Sequence, residues 1–266
     1  MSVITVKNGT LEYLTAENIR VPHCFTTRLG GVSTGYLSGL NIAHHRGDDP
    51  ANVAKNIQIL SEALGFSPDS LILTQQTHSD IVRCVNSVDA HGLDHHQYPE
   101  CDALITADPG AALMVFTADC TPILLHDPVT GAVGAVHAGW RGTASGIAAK
   151  TVAAMASSFG CRPENIRAAI GPNIGPCCFA TDADVPAAMV KALGAEANAS
   201  ISQRDDKYYV NLKALNALHL RRAGVTSIAI SSACTACAPH RYWSHRITGG
   251  QRGSQGAIII CKETSL

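Results

Sequence analysis

The chain contains 266 residues, of which 46% are hydrophobic and 15% are charged, and its formal net charge is −1. Such a composition is typical of a globular protein with a sizeable core. Because Lys and Arg are spread along the chain without a basic run, nucleic acid or an anionic membrane is not expected as the main partner. No apolar run approaches the roughly 18 residues of a membrane-spanning helix, and the amino-terminal residues lack the pattern of a secretory signal. We therefore expect a cytoplasmic protein.

Three helices are predicted in chain order from their start and stop signals. Residues 48–50, Asp-Asp-Pro, give a cap followed by proline in the first turn, and the helix should end near Gly65. A second helix is predicted from about 142 to 160. A third should run from about 210 to 223, where Gly224 closes it.

Short apolar runs of strand length lie between these helices, and they cluster in the middle of the chain. Because helices do not alternate with them regularly, the pattern favours a mixed α+β architecture over a doubly wound parallel sheet. No repeat or linker divides the chain, so we predict a single domain over residues 1–266, with a polar loop at 91–96. The predicted strands are residues 71–74, 81–85, 102–106, 112–117, 122–126, 132–137, 166–171, 227–230 and 256–260.

One predicted hairpin brings two reactive residue types together. The stretch HDPVTGA reads as a tight turn between two strands. An antiparallel hairpin with His126 opposite Ala132 would set Cys120 opposite Ala138. Cys120 and His137 then arrive at the same open end of the hairpin.

A thiol and an imidazole at one strand end are compatible with three interpretations. They could form a Cys/His nucleophilic pair, provide two ligands of a metal such as zinc, or be neighbours in the core by chance. His78, in LTQQTHSD, follows another short strand and stands among polar residues. His78, Cys120 and His137 together would form a His₂Cys set whose fourth position is free, which is the arrangement of a catalytic zinc.

Charged residues near glycine-rich segments are candidates for further roles. Arg28, in FTTRLGG, and Arg141, at a predicted helix start, could hold a phosphate or ribose oxygens, unless they are solvated surface residues. Asp102 and Asp119 are candidates for orienting a histidine or moving a proton, although a structural role is the simpler expectation.

Ten cysteines do not predict a disulfide framework in a chain of this length, because such frameworks serve small secreted proteins. Most are expected to be reduced and buried. Cys234 and Cys237 form a CxxC motif, but a single such pair is weak evidence for zinc. Cys177 and Cys178 are expected to pack a turn.

A series of motifs carries a specific resemblance. FTTRLGGVS, GLNIAHHRGDDP, TQQTH, CDALIT, TADCTPILLHDP, VHAGWRGT and IGPNIGPCCF follow one another as they do in the YfiH-type, laccase-domain family. The resemblance implies a mixed α/β/β/α sandwich similar to toxin-type cysteine hydrolases. It also implies metal ligands at the His of Q-x-H, the Cys of ADC and the His of HAGWRG, which are His78, Cys120 and His137 here.

The match is weaker near the carboxyl terminus, where RYWSHRITGGQRG stands in place of the family's FFSYRRDG-x-TGR. The amino-terminal motif keeps Asn41, which joins Arg28 and Arg141 as a candidate for substrate binding. The motifs therefore identify the metal ligands more specifically than they identify the residues at the edge of the substrate pocket.

The resemblance implies a Zn²⁺-dependent purine nucleoside enzyme, with Cu²⁺ as the alternative metal. The implied reactions are phosphorolysis of adenosine, inosine and methylthioadenosine and hydrolytic deamination of adenosine, with purine nucleosides and phosphate as partners. Family members were earlier described as multicopper polyphenol oxidases, but laccase copper clusters use paired H-x-H motifs, and this sequence contains none. Three alternatives stay open, namely a Cys/His hydrolase such as an amidase acting on peptidoglycan precursors, a copper-dependent polyphenol oxidase (laccase), and a metal-binding protein without catalysis.

Overall fold

The computed structural model describes residues 1–93 and 98–263. Residues 94–96 of the predicted polar loop lie outside the described residues. Within the described ranges, no helix has the length and apolar character needed to cross a membrane. The strands are β1 (Val3–Asn8), β2 (Leu11–Ala16), β3 (His23–Thr26), β4 (Leu71–Ile72), β5 (Val82–Cys84), β6 (Ala103–Thr106), β7 (Ala112–Thr117), β8 (Thr121–His126), β9 (Val133–Ala138), β10 (Arg167–Ile170), β11 (Ala180–Thr181), β12 (Ile201–Arg204), β13 (Lys207–Val210), β14 (Ser227–Ile230) and β15 (Gln255–Ile260). The α-helices are α1 (Pro50–Leu64), α2 (Trp140–Ala144), α3 (Ile147–Phe159), α4 (Asp184–Leu193), α5 (Leu212–Arg222) and α6 (His245–Thr248).

The strands form two large sheets and one small sheet. The first large sheet has the order β1-β2-β3-β15-β7-β4, the second has the order β14-β10-β8-β9-β6-β5, and the small sheet has the order β11-β13-β12. Most neighbours are antiparallel, whereas β4 with β7, β5 with β6 and β10 with β14 are parallel. These mixed sheets confirm the predicted α+β class. The single domain over residues 1–266 stays a prediction.

The second sheet is buried on both faces, and β8 shows how. Successive residues of a strand point to opposite faces. Leu124 belongs to the cluster shared with the first sheet, together with Leu113 of β7 and Ile258 of β15. Ile123 belongs to a separate cluster that contains Val152 of α3. The order of layers is therefore helix, second sheet, first sheet, with α1 packed into the cluster of the first sheet.

The helix predictions are confirmed in part. The side chain of Asp49 caps α1 by accepting a hydrogen bond from the Ala51 amide at 2.9 Å, and Gly65 ends the helix in a left-handed conformation. The single helix predicted over 142–160 is wrong, because α2 and α3 are separate helices. Gly146 lies between them with a φ of 75°, which a continuous right-handed helix does not allow.

The hairpin of β8 and β9 forms as predicted, but its register differs by one residue. His126 lies opposite Val133 rather than Ala132. The Asp127 amide donates to the Ala132 carbonyl at 2.9 Å, and the Gly131 amide donates to the Asp127 carbonyl at the same distance. The turn is therefore closed by Asp127 and Ala132, one residue farther along the first strand than expected.

His126 predicts acid sensitivity of the fold. It is 4% exposed, and burial together with the charge of Arg167 lowers the pKa of His126 from 6.5 to about 4. The contribution of neutral His126 to stability is therefore fully present above pH 6.5, its unfolded pKa. It is lost as the pH falls from 6.5 towards 4, because over this range the histidine is protonated in the unfolded chain but not in the folded protein. Through His126, we expect the free energy of unfolding to fall by about 2 kcal/mol between roughly pH 7.5 and pH 5. Urea unfolding at both pH values should show a smaller pH dependence for His126→Gln, whereas an unchanged dependence would contradict the assignment.

Candidate active site and metal centre

The structure brings together His78, Cys120 and His137. His78 lies in the segment after β4, Cys120 directly precedes β8, and His137 belongs to β9. Their potential ligand atoms all lie within 4.8 Å of one another. Nε2 of His78 lies 3.9 Å from Sγ of Cys120, and the two imidazole rings meet edge to face with centroids 5.0 Å apart.

The corrected register explains how the thiol reaches the imidazoles. Extending the β8–β9 pairing by one residue places Cys120 opposite Gly139, and residues two apart in a strand share a face. Cys120 therefore lies on the face that carries His137. A Cβ atom at position 139 would stand 2.9 Å from Cδ2 of His78 and 3.4 Å from Sγ of Cys120. Glycine is needed there because any side chain would displace His78.

A buried carboxylate orients His137. Oδ1 of Asp102 lies 2.7 Å from Nδ1 of His137, and both side chains are almost fully buried. The same carboxylate accepts hydrogen bonds from the amides of Thr77, His78 and Ser79. Burial raises the pKa of Asp102. The hydrogen bond and charge of His137, together with the hydrogen bonds from Ser79, outweigh burial and lower the pKa of Asp102 below its usual value. The ionised Asp102 accepts the Nδ1 proton of His137, so Nε2 is the ring nitrogen that can take the proton of the Cys120 thiol or, without that proton, bind a metal.

Asp119 fixes the backbone immediately before the thiol. Its φ is 88°, a left-handed value that is uncommon for a residue other than glycine. The carboxylate accepts hydrogen bonds from the hydroxyls of Thr235 at 2.6 Å and Ser244 at 3.0 Å, and from the Arg246 amide at 2.7 Å. These contacts hold a conformation that presents Cys120 at the end of β8.

Cys120 is set up to carry a negative charge. Burial opposes ionisation of the thiol, but the charge and hydrogen bond of His137 lower the pKa of Cys120 to about 6. Burial lowers the pKa of His137, but the thiolate and Asp102 raise it to about 9. A thiolate is the form required both of a metal ligand and of a nucleophile. The geometry therefore keeps both chemical interpretations open.

A cavity of about 550 Å³ lies over these three residues. Its size is within the range of small-molecule sites. The lining combines aromatic and aliphatic groups with polar groups and three arginines. The residues that line it are His45, Arg46, Thr74, Gln75, Gln76, His78, Phe116, Thr117, Ala118, Asp119, Cys120, His137, Ile174, Phe179, His245, Arg246, Arg252 and Ser254.

The arginines make this cavity suited to an anion. Within the described residues, Nε of Arg46 is buried without a hydrogen-bond partner. Arg252 is held by the Gly253 carbonyl at 2.9 Å and is 9% exposed. Burial and the positive charge of Arg46 lower the pKa of Arg252 to about 10. An anion bound between Arg46 and Arg252 would relieve the repulsion between the two guanidinium groups.

Two of the substrate-binding candidates predicted from the sequence do not line this cavity. The guanidinium group of Arg28 donates to the carbonyls of Pro239 at 2.9 Å and Ser38 at 3.1 Å. It also stacks 3.8 Å from the Trp243 ring centroid. Arg141 is exposed, and its guanidinium carbon lies 4.2 Å from the ring centroid of the adjacent tryptophan. The contacts of Arg28 therefore occupy its guanidinium group, and Arg141 lies at the surface outside the cavity.

The third candidate, Asn41, is buried beneath the site and supports it. Its side chain donates to Asp48 at 2.7 Å and accepts from the Ser254 amide at 3.0 Å. These bonds connect the segments that carry Arg46 and Arg252. Asn41 therefore positions cavity residues without lining the cavity itself.

The residues present fit a metal ion. One thiolate and two imidazoles form a donor set that suits zinc. His137 also donates its other ring N–H to the Asp102 carboxylate, as metal-bound histidines commonly do. The three donors leave the side facing the cavity open.

Comparisons with known proteins agree with the motifs. The family model described as "Multi-copper polyphenol oxidoreductase laccase" matches residues 22–262. A protein of Deinococcus radiodurans named purine nucleoside phosphorylase is 41% identical over 252 residues, which cover 94% of this chain and 92% of that protein. Purine nucleoside phosphorylase YlmD of Geobacillus stearothermophilus is 36% identical over 90% of this chain and 89% of its own.

Solved structures extend the agreement to the fold. The crystal structure of YlmD from Geobacillus stearothermophilus has a TM-score of 0.92 at 33% identity and covers 98% of this chain and 100% of that chain. The crystal structure of Bacillus licheniformis hypothetical protein YfiH has a TM-score of 0.87 at 32% identity and covers 90% of this chain and 92% of that chain. The chain therefore belongs to the laccase-domain family, described as multi-copper polyphenol oxidoreductase laccase, whose YfiH-type members its motifs resemble.

Proposed function

We propose that this chain is a zinc-dependent purine nucleoside phosphorylase. The observation that carries the proposal is the cluster of His78, Cys120 and His137, with ligand atoms within 4.8 Å, at the base of an arginine-lined cavity. The names of the relatives support the reaction class, and the donor set supports zinc over copper. In the proposal the substrates are adenosine, inosine and methylthioadenosine with phosphate, and hydrolytic deamination of adenosine is a second reaction. The proposal includes a cytoplasmic location, where cysteines stay reduced and can serve as zinc ligands.

Phosphate binding is assigned to Arg46 and Arg252, with Arg246 at the rim, in place of Arg28 and Arg141. Guanidinium groups match the geometry of phosphate oxygens, and their interaction is strengthened when they are withdrawn from water. Arg246 donates to the carbonyl of Cys178 at 3.0 Å, which fixes its side chain along the cavity edge. The arginines would orient the phosphate for attack on C1′ of the nucleoside.

The apolar part of the lining is assigned to the purine. Phe116, Ile174 and Phe179 offer flat or aliphatic surface to the faces of the base. Gln76 fixes the Phe116 backbone, since it donates to its carbonyl at 2.8 Å and accepts from its amide at 2.7 Å. The base would be sandwiched by rigid groups while the phosphate meets the arginines.

His78, Cys120 and His137 would hold the zinc ion, which would supply Lewis acidity at the base of the cavity. Asp102 keeps the His137 proton on Nδ1, and the backbone contacts of Asp119 keep Cys120 in place. In phosphorolysis the C1′–N9 bond breaks, a phosphate oxygen bonds to C1′ as the phosphate gives up a proton, and the leaving purine takes up one proton on nitrogen. The products are ribose 1-phosphate and the free purine.

The test is to incubate the purified, zinc-containing protein with adenosine, with and without phosphate. We expect adenine and ribose 1-phosphate only when phosphate is present, and slower formation of inosine and ammonia in either case. Chromatography of bases and nucleosides measures both reactions. Failure to cleave adenosine, inosine and methylthioadenosine at full zinc occupancy would overturn the proposal.

A thiol hydrolase is the second candidate, because Cys120, His137 and Asp102 are arranged as a nucleophile, a base and its orienting carboxylate. It predicts release of amino acids from peptidoglycan precursors and trapping of Cys120 by an alkylating reagent. Turnover of peptidoglycan precursors without any nucleoside cleavage would favour it.

A further inference from the structure

Two loops outside the cavity bring four cysteines together. Strands β10 and β14 are parallel neighbours, so the loops that follow them leave the same edge of the second sheet. The first loop carries Cys177 and Cys178, and the second carries Cys234 and Cys237. The loops are joined by a bridge between Asn173 and Cys234. The sulfur atoms of all four cysteines lie within 4.8 Å of one another.

The spacing of these sulfurs matches a single tetrahedral ion. Zinc–sulfur bonds of about 2.3 Å place the sulfurs of a tetrahedral site about 3.8 Å apart. Sγ of Cys237 lies 3.4 Å from Sγ of Cys177 and 3.4 Å from Sγ of Cys178. No pair among the four is joined in a disulfide. The cluster therefore needs only small adjustments to enclose one ion.

Neighbouring groups favour a thiolate at Cys234. The Gly175 amide donates to Sγ of Cys234 at 3.1 Å, as backbone amides commonly do to metal-bound sulfur. A Cβ atom at position 175 would stand 3.2 Å from Sγ of Cys177, so glycine permits this close approach. Lys213 lines a small cleft with Cys177 and Cys234 and brings a positive charge next to the cluster. The Gly175 amide and the charge of Lys213 lower the cost of placing a negative charge on Cys234.

We propose that Cys177, Cys178, Cys234 and Cys237 bind a second zinc ion, separate from the site formed by His78, Cys120 and His137. Four cysteine ligands leave no position for substrate or water, so the role is structural. This site does not depend on the reaction proposed for the cavity.

The second zinc would secure one wall of the cavity. The loop with Cys177 and Cys178 continues into Phe179, which lines the cavity, and the carbonyl of Cys178 accepts from Arg246. The loop with Cys234 carries Thr235, whose hydroxyl donates to Asp119. Joining the two loops through one ion would hold both supports of the site at a fixed separation.

The test is the zinc content of the untagged protein, purified without chelators and compared with matched variants. We expect two zinc ions per chain in the unmodified protein and in Cys84→Ser, which changes an exposed cysteine outside both clusters. Cys237→Ser and Cys120→Ser should each retain one ion, and the double variant should retain none. A fall from two ions to one in Cys237→Ser, together with retention of one ion in Cys120→Ser, supports the second site whatever the catalytic activity proves to be.

Zinc X-ray absorption of the unmodified protein provides a readout that needs no variant. Two filled sites predict an average of about 2.5 sulfur ligands per zinc, whereas the site with Cys120 alone predicts about one. A single zinc that is lost in Cys120→Ser and kept in Cys237→Ser would overturn the inference. A second equivalent of iron in place of zinc, or a disulfide among the four cysteines in the isolated protein, would overturn it too.

Discussion

Cys120→Ala is expected to lose both the cavity zinc and nucleoside phosphorolysis, with kcat/KM lower by about 10³-fold or more. The reason is that the three donors would hold the ion together, and a Lewis acid contributes several kcal/mol to a reaction, where each 1.4 kcal/mol is about tenfold. His78→Ala should have the same two effects, since no ligand of the three is dispensable. Metal analysis and initial rates on the same preparations measure both quantities, and Cys84→Ser is the control.

His78 separates the metal hypothesis from the thiol hypothesis. Under the thiol hypothesis Cys120 and His137, oriented by Asp102, form a complete nucleophilic pair. His78→Ala would then keep much of the turnover, and an alkylating reagent would label Cys120 in the active protein. A His78→Ala protein that has lost its zinc but retains near-normal phosphorolysis would contradict the metal hypothesis directly.

The convergence of Cys120 and His137 could be predicted because it depends on local structure. A short turn between two apolar strands forces an antiparallel hairpin, and residues just before one strand must meet the end of the other. The register was wrong by one residue because Asp127 and Ala132 pair across the turn, and a sequence pattern does not resolve which residue closes a turn. The error did not separate the two residues, since an end of a hairpin tolerates a shift of one position.

The arginines of the cavity could not be found in this way. Arg46 ends the short helical turn His44–Arg46, Arg246 lies in α6, and Arg252 lies in the loop before β15. These segments meet only because β15 inserts between β3 and β7, which is a long-range pairing. The sequence motifs HHRGDDP and RYWSHR contain Arg46 and Arg246, so the signal was present, but nothing local distinguished them from Arg28 and Arg141.

Other omissions have similar causes. The hairpin of β1 and β2 turns at Gly9 and Thr10, and Gly9 has a φ of 61°. A glycine in the first position of a two-residue turn is typical of tight hairpins, so this element was open to prediction. The four-cysteine cluster was not, because the single CxxC motif of Cys234 and Cys237 becomes meaningful only when parallel pairing of β10 and β14 adds Cys177 and Cys178. Tertiary pairing, not local propensity, makes that site.

Arg46→Gln is expected to raise the KM for phosphate by about 10- to 100-fold, because a hydrogen bond to a charged group contributes about 1.5–3 kcal/mol. Arg46 is the most informative arginine, since its Nε lacks a partner within the described part of the chain, whereas Arg246 and Arg252 are held by carbonyl groups. Replacing the Arg46 guanidinium group should weaken phosphate binding without breaking a side-chain bond to a backbone carbonyl. Initial rates at varied phosphate and saturating adenosine measure the change, and zinc content should stay the same.

The matched variant is Arg141→Gln, which removes the same charge from an exposed residue outside the cavity. If phosphate binds between Arg46 and Arg252, Arg141→Gln should leave the KM for phosphate unchanged. Deamination of adenosine uses no phosphate, so Arg46→Gln should spare it relative to phosphorolysis. An equal loss of both reactions in Arg46→Gln would show that Arg46 supports the cavity as a whole. A larger effect of Arg141→Gln on the KM for phosphate would instead place the phosphate site at the start of α2.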